Sequence, residues 1–150
     1  MKINDIKGLI LPNKKDEEFL KINLDALFSY DFKEQQTYEF DIMGLETIED
    51  KNTYDSILFD ITRSIDNTQK VITINKNIAE PIFLIHKIKE AETFFTNSLK
   101  IKVAKGIKAQ LVEVFVTNSK NSLYSVNRNF ELDENANLEY VKVQDINESN

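Results

Sequence analysis

Three fifteen-residue stretches, "ITINKNIAEPIFLIH", "IKVAKGIKAQLVEVF" and "FELDENANLEYVKVQ", begin at residues 72, 101 and 130, each 29 residues after the last, and align without a gap. Their columns are chemically consistent. Ile72, Ile101 and Phe130 align, as do Ile74, Val103 and Leu132; Phe83, Val112 and Val141 form a third apolar column, and Ile85, Val114 and Val143 a fourth. Between the strand halves sit Asn77, Gly106 and Asn135, the residue types that enter the left-handed backbone region most cheaply. With only 3 glycines in 150 residues, Gly106 between two strand-like runs reads as one copy of a repeated corner. A period near 29 residues with two short strands and a fixed corner predicts a β-solenoid, mainly β in class. Like residues would then stack about 4.8 Å apart, each apolar column becoming an internal ladder. The competing reading is an antiparallel meander, which need not align its corners and its core columns together.

The faces conflict. Ile82, Leu111 and Tyr140 form an apolar column of opposite parity to Phe83, Val112 and Val141, whereas one parity of a strand points inward and the other outward. A cover for the outer face is therefore expected, and the N-terminal segment with Phe19, Leu20, Leu24 and Leu27 is the nearest candidate.

Ahead of the repeats the pattern changes. Tyr54, Ile57, Leu58, Ile61 and Ile65 fall at helical spacing after Asn52 or Thr53 as N-cap, predicting a helix over 54–65 that caps the first coil. "TYEFDIMG" (37–44) reads as a strand ending at Gly44, and "KKDEEFLKINLDALF" as a short, broken helix after Pro12. The expected organisation is a helical or extended segment over 1–36, coils over 37–146 and a polar tail over 147–150.

A chain of this length suits one domain, burying roughly 70% of its unfolded surface. The net charge of −6 argues against an electrostatic grip on nucleic acid or anionic lipid. No apolar run approaches the roughly 20 residues of a membrane span, and no signal-like stretch opens the chain, so the expected location is cytoplasmic. The absence of Cys excludes disulfides and thiolate metal sites within this sequence.

Catalytic signals are missing from the sequence. His86, the only histidine, lies on an apolar strand and is assigned no role. Glu17, Glu18, Glu46, Glu49 and Asp50 read as solvated acids, not as a metal site. Gly8, Gly44 and Gly106 are scattered singly, which rules out a phosphate loop, and one histidine supports no Ser–His–Asp set. The sequence therefore predicts no catalytic, cofactor-binding or metal-ligating residue.

Three features together resemble the SufB/SufD family, the scaffold subunits of iron–sulfur cluster assembly. "GLILPNKKDEEFLKINLDAL" (8–27) is similar to the family opening, in which a Leu-Pro pair, basic residues and an acidic-aromatic cluster precede an Asn-Leu segment. "EPIFLIHKI" (80–88) is similar to its Pro-Ile…His strand, and "SLKIKVAKGIKAQLVEVFV" and "NRNFELDENANLEYVKVQD" to its successive coils. The likeness runs from about Gly8 to Asp145 and is closer to the SufD type. It departs at Phe19, where the family has Trp, and at "KIN", where it tends to have Lys-Tyr-Thr.

The resemblance implies a right-handed parallel β-helix with a small helical N-terminal region, acting as a non-enzymatic scaffold. It implies a SufC-type ATPase and a SufB-type subunit as partners, with the iron–sulfur cluster held by the assembly and not by this chain alone. Family members are longer, and their cluster-building residues and ATPase-docking region lie in later segments. The sequence thus reads as the N-terminal part of such a protein or a reduced relative. The alternatives are a free-standing β-solenoid interaction module without cluster chemistry and, more remotely, a carbohydrate-active β-helix. For the last strand, the unpaired backbone groups beside Leu138, Tyr140, Val141 and Val143 predict edge pairing through residues 138–144, most simply as a two-fold homodimer.

Overall fold

The computed structural model describes residues 1–11, 24–37, 46–51, 57–65, 68–117 and 119–146. It is mainly β. Among the described residues, two short helices, α1 (Asp25–Ser29) and α2 (Ile57–Ile65), accompany eight strands: β1 (Glu34–Thr37), β2 (Glu46–Lys51), β3 (Thr68–Ile74), β4 (Ile82–Lys87), β5 (Thr93–Val103), β6 (Lys108–Thr117), β7 (Leu123–Leu132) and β8 (Asn137–Ile146).

From β3 onward the chain alternates between two sheets. One contains β3, β5 and β7 in parallel, with β1 parallel to β5 and β2 antiparallel to β3; the other is β4–β6–β8, all parallel. The repeat found in the sequence is the strand register. Ile72 pairs with Ile101 and Ile101 with Phe130; Ile82 pairs with Leu111 and Leu111 with Tyr140. This rules out the antiparallel meander over residues 68–146. Side chains follow the same 29-residue step: Gln110 donates to Glu139 at 2.7 Å, Asn127 to Ser98 at 3.3 Å, and Lys105 pairs with Glu134.

The corners repeat as well, with one exception. Gly106 has φ +72° and Asn135 φ +57°, and the Gly106 N–H donates to the Glu134 carbonyl at 3.0 Å. Asn77 does not take the left-handed conformation expected of it. All three corners span the same number of residues in the register, but strand pairing resumes only at Ile82 after this one, against Lys108 and Asn137 after the next two. The Asn77 amide oxygen instead accepts the Lys108 N–H at 3.0 Å. A second corner column, Glu92 (φ +56°) and Asn121 (φ +55°), returns the chain to the first sheet. Composition hides this column because Glu is a poor marker of positive φ.

A Cβ added at Gly106 would meet nothing within 4 Å, so any cost of substitution there comes from the backbone alone. Gly106→Val is expected to lose about 1–3 kcal/mol, because a β-branched side chain is strained at positive φ, and Gly106→Asn much less. Equal denaturation midpoints for the two variants would contradict the corner.

The core between the sheets is aliphatic. Ile72, Ile74, Leu99, Ile101 and Val103 meet Ile82, Leu84, Ala109 and Leu111. In the β4–β6–β8 sheet the inward parity is therefore that of Ile82, Leu111 and Tyr140. The columns of Phe83 and Ile85, expected inside, point outward: Phe83 is 58% exposed and Ile85 56%. The corners explain the choice, since Ile78, Ile107 and Ala136 pack on the core and set the phase of the strands that follow them.

A second core covers the opposite face of β5, where Phe94 packs with Ile3, Phe28, Phe32 and Ile61, flanked by Leu24 and Leu27. The N-terminal cover thus exists, but it lies on the first sheet and not over the columns that called for it. Phe19 and Leu20 lie outside the described residues, as do most of the strand expected at 37–44, the greater part of the helix expected after Pro12 and the tail over 147–150. Of the helix expected over 54–65, residues 57–65 form α2 and 54–56 lie outside the described residues; it does not take the place expected of it as cap of the first coil. It packs chiefly on β7 and β5, Thr62 Oγ1 lying 3.1 Å from Ser125 Oγ, while β2 pairs along the outer edge of β3, the first strand of the stack.

Candidate functional site

Inside the sandwich, one end of the aliphatic core gives way to a buried ion cluster. Leu84, Glu113 and Lys142 share one inward row of the β4–β6–β8 sheet, and His86, Phe115 and Gln144 the next. From the facing sheet, Arg128 stands beside Leu99 in the β5–β7 register. The side chains of His86 and Glu113 are fully buried.

Glu113 is the hub. Its Oε1 lies 2.6 Å from His86 Nε2, and Arg128 Nε is 2.8 and 2.9 Å from the two carboxylate oxygens, with Nη2 also in contact. Tyr140 donates its hydroxyl to Oε2 at 2.6 Å. Arg128 Nη1 continues to Asn97 Oδ1 and to the Asn127 carbonyl, both at 2.7 Å.

Burial by itself would push the Glu113 carboxyl up. The hydrogen bonds from His86, Arg128 and Tyr140, with the guanidinium charge, outweigh it and hold the group down to about 2. A carboxylate in that state only accepts, so His86 Nε2 carries the proton of their shared bond. Burial and the donation to Glu113 raise the Tyr140 phenol well above its ordinary value, and burial raises Tyr124.

The rings close this end of the interior. His86 stacks on Phe115 at 4.7 Å between centroids, and Tyr124 meets Phe95 and Phe115 edge-on at 4.9 and 5.1 Å. Tyr124 also accepts the Ile88 N–H at 3.0 Å and donates to the Val116 carbonyl at 2.7 Å.

Chemically the cluster holds charge in place. A carboxylate saturated by donors is a weak base, and its lone pairs are committed. Among the described residues no three His, Cys, Asp or Glu side chains converge as a metal site. A cavity of about 310 Å³ between α1, α2 and β7 is lined mainly by apolar residues, including Leu24, Phe28, Ile61 and Leu123.

The interface residues read from the sequence divide by parity. Leu138 and Tyr140 point inward and are half-buried, whereas Val141 and Val143 are exposed on the outer face at 43% and 41%. Sequence reasoning missed Glu113 and Arg128. The available signal was a pair of opposite charges interrupting the mainly apolar inward parity of β6 and β7.

Comparisons with protein-family models, with curated proteins and with solved structures find no match to this chain.

Proposed function

We propose that the chain is a non-catalytic scaffold of the SufB/SufD kind, or the N-terminal part of one, built as coils of a right-handed parallel β-helix and working in a cytoplasmic iron–sulfur assembly complex. The observation that carries this reading is the constant 29-residue register of parallel strands alternating between two sheets. The Leu-Pro opening, the Pro-Ile…His strand and the successive coils stand in the family's order along the same chain.

In this role the chain supplies shape and an edge. The outer strand β8, over residues 138–144, offers its unpaired backbone groups to a SufB-type subunit, and such an edge is equally open to a second copy. The cluster is cargo of the whole assembly. The buried Glu113–Arg128 set fixes the coil that bears the edge, since Arg128 lies on β7 and Tyr140 on β8.

The exposed apolar face of the β4–β6–β8 sheet favours a second reading, a free-standing interaction module without cluster chemistry. Co-expression separates the two. Under the first reading the chain co-elutes with a SufB-type subunit, binds a SufC-type ATPase weakly or not at all by itself, and after anaerobic reconstitution alone retains neither iron nor sulfide and hydrolyses no ATP. Failure to co-elute selects the free-standing module. Stoichiometric iron and sulfide on the chain alone would overturn the non-catalytic scaffold reading.

A further inference from the structure

The outer face of the β4–β6–β8 sheet is an ordered grid. The strand register sets Phe83, Val112 and Val141 in one row, Ile85, Val114 and Val143 in the next, and Lys87, Val116 and Asp145 in a third. Gln110 and Glu139 bound the other end. Phe83, Ile85, Val141 and Val143 are exposed and the three central valines half-buried. α1, α2 and Phe32 cover the outer face of the first sheet around Phe94, whereas among the described residues no helix or strand packs on this one. Three strands by six residues, at spacings of about 4.8 and 3.3 Å, make a patch on the order of 300 Å². Apolar patches of that size are often functional.

We propose that this face pairs two copies of the chain, sheet against sheet, about a two-fold axis running along β6. The contact is distinct from the β8 edge and independent of the assembly reading. Size and charge select this axis. It lays β4 of one copy over β8 of the other, so the large Phe83 and Ile85 meet the small Val141 and Val143, and the central valines meet their own counterparts. At the rim it sets Lys87 opposite Asp145, twice. A two-fold axis across the strands does the reverse, stacking Phe83 on Ile85, leaving valine on valine at the other side, and bringing Asp145 against Glu139. Face-to-face sheets cross at about 30°, an offset that the long Lys87 side chain spans. The patch is smaller than the roughly 800 Å² per partner of stable complexes, so the dimer is reversible, with a dissociation constant in about the micromolar range or weaker.

The test uses charge reversal and mixing, read by sedimentation over a concentration series. Lys87→Glu alone puts acid against acid twice, and Asp145→Lys alone puts base against base twice, so each single variant should associate about tenfold more weakly than wild type. An equimolar mixture of the two should recover association, because the mixed pair restores both complementary contacts. Val114→Cys, in a chain without native cysteine, should in addition be linked to its counterpart by a short bis-maleimide, since β6 lies on the axis. Single variants that associate like wild type, a mixture no tighter than its components, or no linkage through residue 114 would each overturn the proposal. Association insensitive to charge reversal would assign pairing to the β8 edge instead.

Discussion

Glu113→Ala is expected to lose about 3–5 kcal/mol of folding free energy, the range found when one partner of a buried ion pair is removed. The Arg128 side chain is 10% exposed and would keep its charge without its carboxylate, and His86 and Tyr140 would each lose an acceptor. Replacing acid and base together, as Glu113→Leu with Arg128→Met, should cost markedly less than the sum of the two single changes, because no lone charge is left inside. Urea denaturation of the four proteins gives the comparison; additive losses would mean that the pair is not coupled. The same residue sets an acid limit. Its carboxyl is lowered from 4.5 in the ordinary case to about 2 in the fold, so as pH falls the unfolded chain takes up this proton first. The stabilisation is complete above about 4.5 and is lost as pH falls through about 2. Glu113→Gln should flatten the pH dependence of stability within that window, and an unchanged acid limb would show that another group governs it.

Phe95→Ala and Phe83→Ala make the second comparison, one residue type at opposite parities. Phe95 is fully buried against Tyr124 and His86, so its truncation should cost about 3–5 kcal/mol. Phe83 is 58% exposed, and its truncation should stay within about 0.5 kcal/mol. Comparable losses at both sites would mean that the outer face is covered in the folded protein. A larger loss at Phe83 would restore the inward orientation that its apolar column first implied.

That orientation is where sequence reasoning ran out. The 29-residue period was legible because it rests on many residues at once, and Gly106 and Asn135 marked their corners by needing positive φ. Asn77 matched the column in type but does not take the positive φ, and uses its side chain instead of its backbone. The parity of the β4–β6–β8 sheet was misread for a physical reason. Counting apolar residues favours the Phe83 and Ile85 columns over the rows holding Glu113, Lys142 and His86, and the count cannot register that Arg128, on another strand, neutralises Glu113. A buried charge pair spread over two sheets is a property of the three-dimensional arrangement, visible in one dimension only as two apparent mistakes in the pattern.

The constant register also fixes the quantum in which a chain of this kind can change length. One residue gained within β5 would slip its pairing with β3 or β7 and turn inward-facing residues out, and two would keep the faces but break the alignment of the columns. A gain or loss of 29 residues leaves every column intact. Excision of residues 101–129 would join Lys100 to Phe130, put Phe130 in the place of Ile101, and bring β8 against β4 in the register that β6 now holds. Glu113 and Arg128 lie within that one unit, so the acid and its guanidinium would leave together. A whole 29-residue unit could therefore be lost or duplicated in one genetic step without stranding either of these buried charges.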